Sequence, residues 1–160
     1  MPSRFRKSFL TLLPDKIILS PHHENWSVDR HFKIDTSPTA VVPITAMDDE
    51  FKRFGGVEFF STKERILHCY QVDDVVSDQL IIGNLGGEMT IQVGLCEIYH
   101  SLKSVSRDWH YLFYTHQLLV LWGVSVFWGL DGWDISAYRI NPNSVWTDEP
   151  IVISEGLLSD

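Results

Sequence analysis

Seven histidines among 160 residues are the first side chains to weigh for chemistry, because imidazole ligates metals and moves protons near neutral pH. His22 and His23 sit beside Glu24, but neighbours on a strand point to opposite faces and do not share an ion. His110 and His116 are six apart, which puts them on different faces of a helix and on one face of a strand. Neither spacing is the i, i+4 pair of a zinc-protease helix. With Asp131 and Asp134 nearby, His110 and His116 could still assemble a small hydrolytic or metal site in space. Cys69 and Cys96 form no CxxC or Cys/His zinc pattern and read as small buried hydrophobes. No GxSxG elbow is present, and Gly83 to Gly87 matches neither phosphate-binding glycine signature. Asp73-Asp74 and Asp131-Gly132-Trp133-Asp134 are dense in carboxylates, and Asp-Gly is itself a turn signal. These residues carry no cofactor motif, and no cofactor or metal is expected.

Charge and aromatic content point to binding instead. The chain carries 13 Lys plus Arg against 21 Asp plus Glu, a formal charge of −8. That opposes direct nucleic-acid binding, which needs a basic footprint on phosphates. The imbalance is uneven: the first 20 residues hold four bases and one acid, whereas from Trp109 onward six acids face only Arg139. Five of the six tryptophans, Trp109, Trp122, Trp128, Trp133 and Trp146, lie in that last stretch. Acids interleaved with aromatics suit a face for a basic protein partner, since aromatics anchor contacts and charge steers encounter. The residues expected to form it are Asp131, Asp134, Asp148 and Glu149, with Trp133 and Trp146 as anchors. The competing role for any tryptophan is to fill the core.

The elements that would position these groups suggest one α+β domain over residues 1–160, with a central, mainly antiparallel β-sheet packed by a few helices. Residues 1–20 read as an amphipathic opening segment with a strand at Ile17 to Leu19, and residues 20–43 as irregular apart from an extended piece at His31 to Ile34. Ile44, Met47, Phe51 and Phe54 recur at helical spacing, stopped by Gly55 and Gly56. Val57 to Phe60 is extended, and Ser61-Thr62-Lys63-Glu64 is a capping box opening a helix through Ile66 and Leu67. Leu80 to Ile82 reads as a buried strand ending in a glycine-rich turn. Met89, Ile91, Val93 and Leu95 alternate like a half-buried strand, which Ile98 and Tyr99 would extend. Ser106 to Leu121 has helical length, with a strand as the alternative, and Val124 to Trp128, Asp134 to Ile140 and Ile151 to Ser154 look extended. Pro14 and Asp15 cut short a signal-like apolar run, and Leu118 to Leu130 is too short to span a bilayer. A cytoplasmic chain without membrane contact is the expectation.

Between residues 43 and 100 the order of motifs resembles the SUKH superfamily, which includes many bacterial immunity proteins. The carriers are Pro43, Phe51-Lys52-Arg53-Phe54-Gly55-Gly56, Phe59-Phe60-Ser61-Thr62-Lys63-Glu64, Leu80-Ile81-Ile82-Gly83-Asn84-Leu85-Gly86-Gly87-Glu88 and Ile98-Tyr99-His100. The chain departs from the pattern at Ala46, where a tyrosine is usual, and at Phe54, where an asparagine usually precedes the glycines. The tryptophan-rich stretch has no counterpart in it. The resemblance implies an α+β fold with a central antiparallel sheet and a task in protein binding, many relatives neutralising a toxin. The expectation is therefore a cytoplasmic inhibitor of a basic toxin domain. Two alternatives stay open: a small hydrolase built on His110, His116 and an aspartate, and a phage or viral protein that antagonises a host factor.

Overall fold

The computed structural model describes residues 9–21, 25–58 and 64–155. Arg4, Arg6 and Lys7 of the opening segment, the His22-His23-Glu24 triplet and Phe59 to Lys63 of the expected capping box lie outside them. Within the described residues the elements run β1 (Leu10–Leu19), β2 (Trp26–Ser27), α1 (Val28–His31), β3 (Ile44–Met47), α2 (Asp49–Lys52), β4 (Val57–Glu58), β5 (Arg65–Val72) and β6 (Val76–Ser77). They continue with α3 (Asp78–Asn84), α4 (Glu88–Ile91), α5 (Leu95–Ser101), β7 (Tyr111–Gln117), β8 (Val120–Trp128), β9 (Trp133–Arg139), β10 (Val145–Trp146) and β11 (Ile151–Ser154).

Seven strands make one mixed sheet in the order β1-β5-β11-β7-β8-β9-β3. The β11–β7 and β3–β9 junctions are parallel, and β1–β5, β5–β11, β7–β8 and β8–β9 are antiparallel. Side-chain alternation splits the core. One face carries Tyr111, Phe113, Trp122, Val124, Val126, Ile135 and Ile153, covered by α1, α2 and α5 through Val28, Phe51, Leu95 and Ile98. The other carries Tyr70, Val72, Leu112, Tyr114 and Val152 under α3 and α4, which contribute Ile81, Ile82, Leu85 and Ile91. The central sheet with helices packed on it is as expected from the sequence.

Several local expectations are corrected. Ile44 to Met47 is strand, because Ile44 pairs with Trp133 of β9 and bridges Asp35, and the helix starts only at Asp49. Asp48 caps it, its carboxylate accepting from Phe51 N at 2.8 Å. Arg65 to Val72 is not a helix but a strand hydrogen-bonded on both sides, to β1 and β11. Leu80 to Ile82 is helical instead of extended: Ser77 caps α3 by accepting from Leu80 N at 3.3 Å. Leu80 stays 51 % exposed while Ile81, Ile82 and Leu85 turn to the core, which is a helical and not an alternating pattern. Of Met89 to Leu95, Met89 and Ile91 lie in α4, Val93 in the link that follows and Leu95 at the start of α5, which also holds Ile98 and Tyr99. His31 ends α1, so the piece from His31 to Ile34 is not a strand. At Ser106 to Leu121 the strand alternative is the one realised, as β7 and the start of β8. Pro14 falls inside β1 where the register breaks between Leu12 and Lys16, on the outermost strand, where a missing N–H costs the ladder least.

Candidate functional site

The pleat of β7 and β8 assembles the site. His110 immediately precedes β7 and has the parity of Leu112 and Tyr114; Ser125 lies opposite Leu112, and Asp134 of β9 lies opposite Phe127. His110, Ser125, Phe127, Asp134 and Ser136 therefore share one face of the sheet at one end of the three strands. Asp148, beyond β10, reaches the same place. His110 Nε2 is 2.6 Å from Ser125 Oγ, and Nδ1 is 2.5 Å from Asp148 Oδ2. A carboxylate only accepts, so in its neutral form the ring donates Nδ1–H to Asp148 and leaves Nε2 to accept the Ser125 hydroxyl proton. Aromatic rings flank the imidazole, Trp146 at 5.5 Å and Phe127 at 6.2 Å between centroids, both edge-on. The arrangement is a half-buried hydroxyl–imidazole–carboxylate relay open to solvent on the Asp148 side.

Asp78 fixes the wall behind it. This carboxylate is 1 % exposed at the start of α3. Its Oδ1 accepts from Tyr114 OH at 2.5 Å, Tyr138 OH at 2.8 Å and Trp146 Nε1 at 2.9 Å. Three donors on a buried carboxylate offset the desolvation of its charge. Burial, reinforced by nearby Asp78, pushes both tyrosine hydroxyls well above their ordinary range, so they remain donors. Tyr138 lies opposite Gly123, whose missing side chain leaves the space its ring fills.

A second polar place lies at the other end of β7. A cleft of about 220 Å³ is lined by Glu58, Arg65, Gln92, His116 and Gln117, with exposed Met89 at its side. His116 Nδ1 contacts Gln92 Oε1 at 2.6 Å. Glu58 is committed to α5, accepting from Leu95 N and Cys96 N, each at 2.9 Å. Glu97 completes that cap by accepting from Gly94 N at 2.8 Å, and it pairs with Arg65. Burial nevertheless raises the Glu97 carboxyl above its ordinary range against the pull of Gly94 and Arg65.

The expected site residues separate on this framework. Trp133, expected as a surface anchor, is a correction: it is 1 % exposed and packs against Trp128 at 5.2 Å and Tyr111 at 6.0 Å, so it is core. Trp146 is half-buried and tied to Asp78. Asp131 is exposed in the β8–β9 turn and accepts from Thr45 Oγ1 at 2.9 Å. Asp134 is half-buried, Asp148 takes the His110 bond, and Glu149 is exposed with its carbonyl accepting from Gln71 Nε2 at 2.7 Å. His110 and His116 do share a face, but six strand residues separate them by about 20 Å, so they cannot serve one site. Ser125, Asp78, Tyr114 and Tyr138 carried no motif. Only the alternation along β8 and β9, once the strands are known, aligns them.

Among the described residues no cluster of three or more His, Cys, Asp and Glu side chains is placed to hold a metal. No helix there is long and apolar enough to cross a membrane. The fold and site thus define a mixed α/β sheet protein with a histidine relay at one sheet end. Comparison with protein-family models, curated proteins and solved structures gave no match in any of the three.

Proposed function

We propose that the chain is a protein-binding inhibitor of the immunity type, which neutralises a basic toxin domain by covering its surface. The observation that carries this reading is the composition of one sheet end. Trp109, Phe127 and Leu130 are 52 %, 43 % and 101 % exposed there. Asp134 pairs opposite Phe127, Asp131 follows Leu130 in the turn, and Asp148, with Glu149 after it, bonds His110, which follows Trp109. Arg107 is stacked 3.9 Å over Trp128 and Arg139 lies 5.2 Å over the Trp122 ring, so both are engaged within the protein. Large apolar groups left in water beside several acids fit a docking face better than a folding requirement. Acids there steer a cationic partner and the aromatics hold it once it arrives.

The test is rescue by co-expression. The reading frame adjacent to this one is expressed in a sensitive host with and without the protein. Protection is expected, and it should weaken with Phe127→Ala or Trp109→Ala, each costing about 2 kcal/mol of binding, or roughly thirtyfold in Kd, if it is an anchor. Asp134→Lys with Glu149→Lys should slow association and flatten its salt dependence. A neighbour that is harmless, or that kills regardless, removes the immunity reading.

A further inference from the structure

The geometry points to a second capacity beyond binding: Ser125 is an acyl-accepting nucleophile, activated by His110 and positioned through Asp148, for carboxylic esters with a small apolar acyl group. The relay has the polarity this chemistry needs. The ring nitrogen facing the hydroxyl is Nε2, at 2.6 Å, and the one facing the carboxylate is Nδ1, at 2.5 Å. One nitrogen must be held as N–H so that the other is free as a base, and here the carboxylate holds Nδ1 while Nε2 faces Oγ. The ring is also held from several sides. Phe127 and Trp146 bracket it, and Trp146 is fixed in turn by Asp78 at 2.9 Å. A sheet strand rather than a loop carries Ser125, which limits the drift of its Oγ.

As Ser125 Oγ bonds to the ester carbonyl carbon, its proton passes to His110 Nε2. The tetrahedral adduct collapses with cleavage of the bond to the alcohol oxygen, and Nε2–H returns that proton to the departing alkoxide. A water molecule then repeats the same proton route on the acyl-serine, so the sum is ester plus water to acid plus alcohol. Asp148 is a positioning residue throughout, holding the Nδ1–H tautomer and stabilising the imidazolium. Apolar Phe127 and Trp146 beside the relay favour an apolar acyl group. Asp134, Asp148 and Glu149 disfavour an anionic one.

The proposal is independent of the binding reading, so each can fail alone. The intact chain is treated with an uncharged fluorophosphonate probe, and the adduct is located by peptide mass spectrometry. p-Nitrophenyl butyrate turnover is followed in parallel. Labelling is expected at Ser125, lost in Ser125→Ala and reduced about a hundredfold or more in His110→Ala. Asp148→Asn should lower kcat and change the pH profile of kcat/KM, which a purely structural role would leave in place. Circular dichroism and thermal melting keep only variants that fold. If Ser125 is not labelled above the Ser125→Ala background, or its labelling survives His110→Ala in folded protein, the proposal is overturned.

Discussion

Replacing Gly123 by alanine isolates what holds the aromatic wall behind His110. Gly123 lies opposite Tyr138, and a Cβ at that position would come within 2.5 Å of the ring carbon Cε1. The ring cannot step aside without giving up its 2.8 Å hydrogen bond to Asp78. A hydrogen bond to a charged group is worth about 1.5–3 kcal/mol. Alanine itself suits a strand better than glycine by roughly 0.5–1 kcal/mol. The net expectation for Gly123→Ala is a loss of about 1–2 kcal/mol, or about 2–8 °C in Tm for a chain of this size. In a Tyr138→Ala background the clash is gone, and the same substitution should be neutral or stabilising by roughly 0.5–1 kcal/mol. The coupling across the cycle is therefore about 1.5–3 kcal/mol, within the range for residues in direct contact. Urea unfolding of the four proteins, read as midpoints at constant m, measures it. Equal costs of Gly123→Ala in the two backgrounds would refute the argument that the ring and its tie to Asp78 are what the glycine accommodates.

Three further outcomes follow from the same structure. The Leu118-Leu119 turn between β7 and β8 has φ of 52° and 68°, a left-handed conformation that costs a non-glycine residue about 1–2 kcal/mol. Leu118→Asn with Leu119→Gly should thus raise Tm, and a fall in Tm would mean that these exposed leucines hold the hairpin by contacts of their own. Glu97 has a folded-state carboxyl raised by burial, so the native state binds its proton more tightly than the unfolded chain does. That contribution lowers stability as pH rises from the ordinary glutamate range through the raised value, and Glu97→Gln should remove this part of the slope in urea titrations run upward from the ordinary glutamate range. Burial pushes the Cys69 thiol up to about 11 and the Cys96 thiol higher still. Neither should react with a disulfide reagent at about pH 8 until the protein unfolds, because the thiolate is the reactive form.

The strands nearest the site were the most legible in the sequence. Val124 to Trp128, Asp134 to Ile140 and Ile151 to Ser154 are rich in β-branched and aromatic residues, and each lies in or largely within a strand of the sheet. The errors cluster between residues 44 and 101, where helices are four to seven residues long. Such helices give too few turns for periodicity to show, so a run such as Leu80-Ile81-Ile82 reads as strand, and caps decide the outcome. Ser77 and Asp48 supply those caps, yet a lone serine or aspartate before an apolar residue is a weak signal. Of the acids proposed for the docking face, Asp131, Asp148 and Glu149 are exposed, as charge favours, whereas Asp134 is half-buried in β9. Trp133 was not, because burial depends on which side of β9 meets Tyr111 and Trp128. Ser125 became visible only through register: the relay joins residues 15 and 38 positions from His110, a closure that no local pattern encodes.

Strand β11 gives the sheet an order of assembly. Ile151–Ser154 is buried along its whole length and lies between β5 and β7, antiparallel to the first and parallel to the second. During synthesis on the ribosome both neighbours emerge before it does. Until Ile151 appears, the β1–β5 ladder and the β7–β8–β9 meander are separate pieces, each with an inner edge of unpaired N–H and C=O groups. Vectorial folding can prepare the two halves but cannot join them. The closing strand arrives late, bridges partners some 40 and 80 residues upstream, and carries the loop entropy of both connections at once. Until β11 pairs with both, the chain offers two adhesive edges, and a chaperone that shielded them would matter most in that interval.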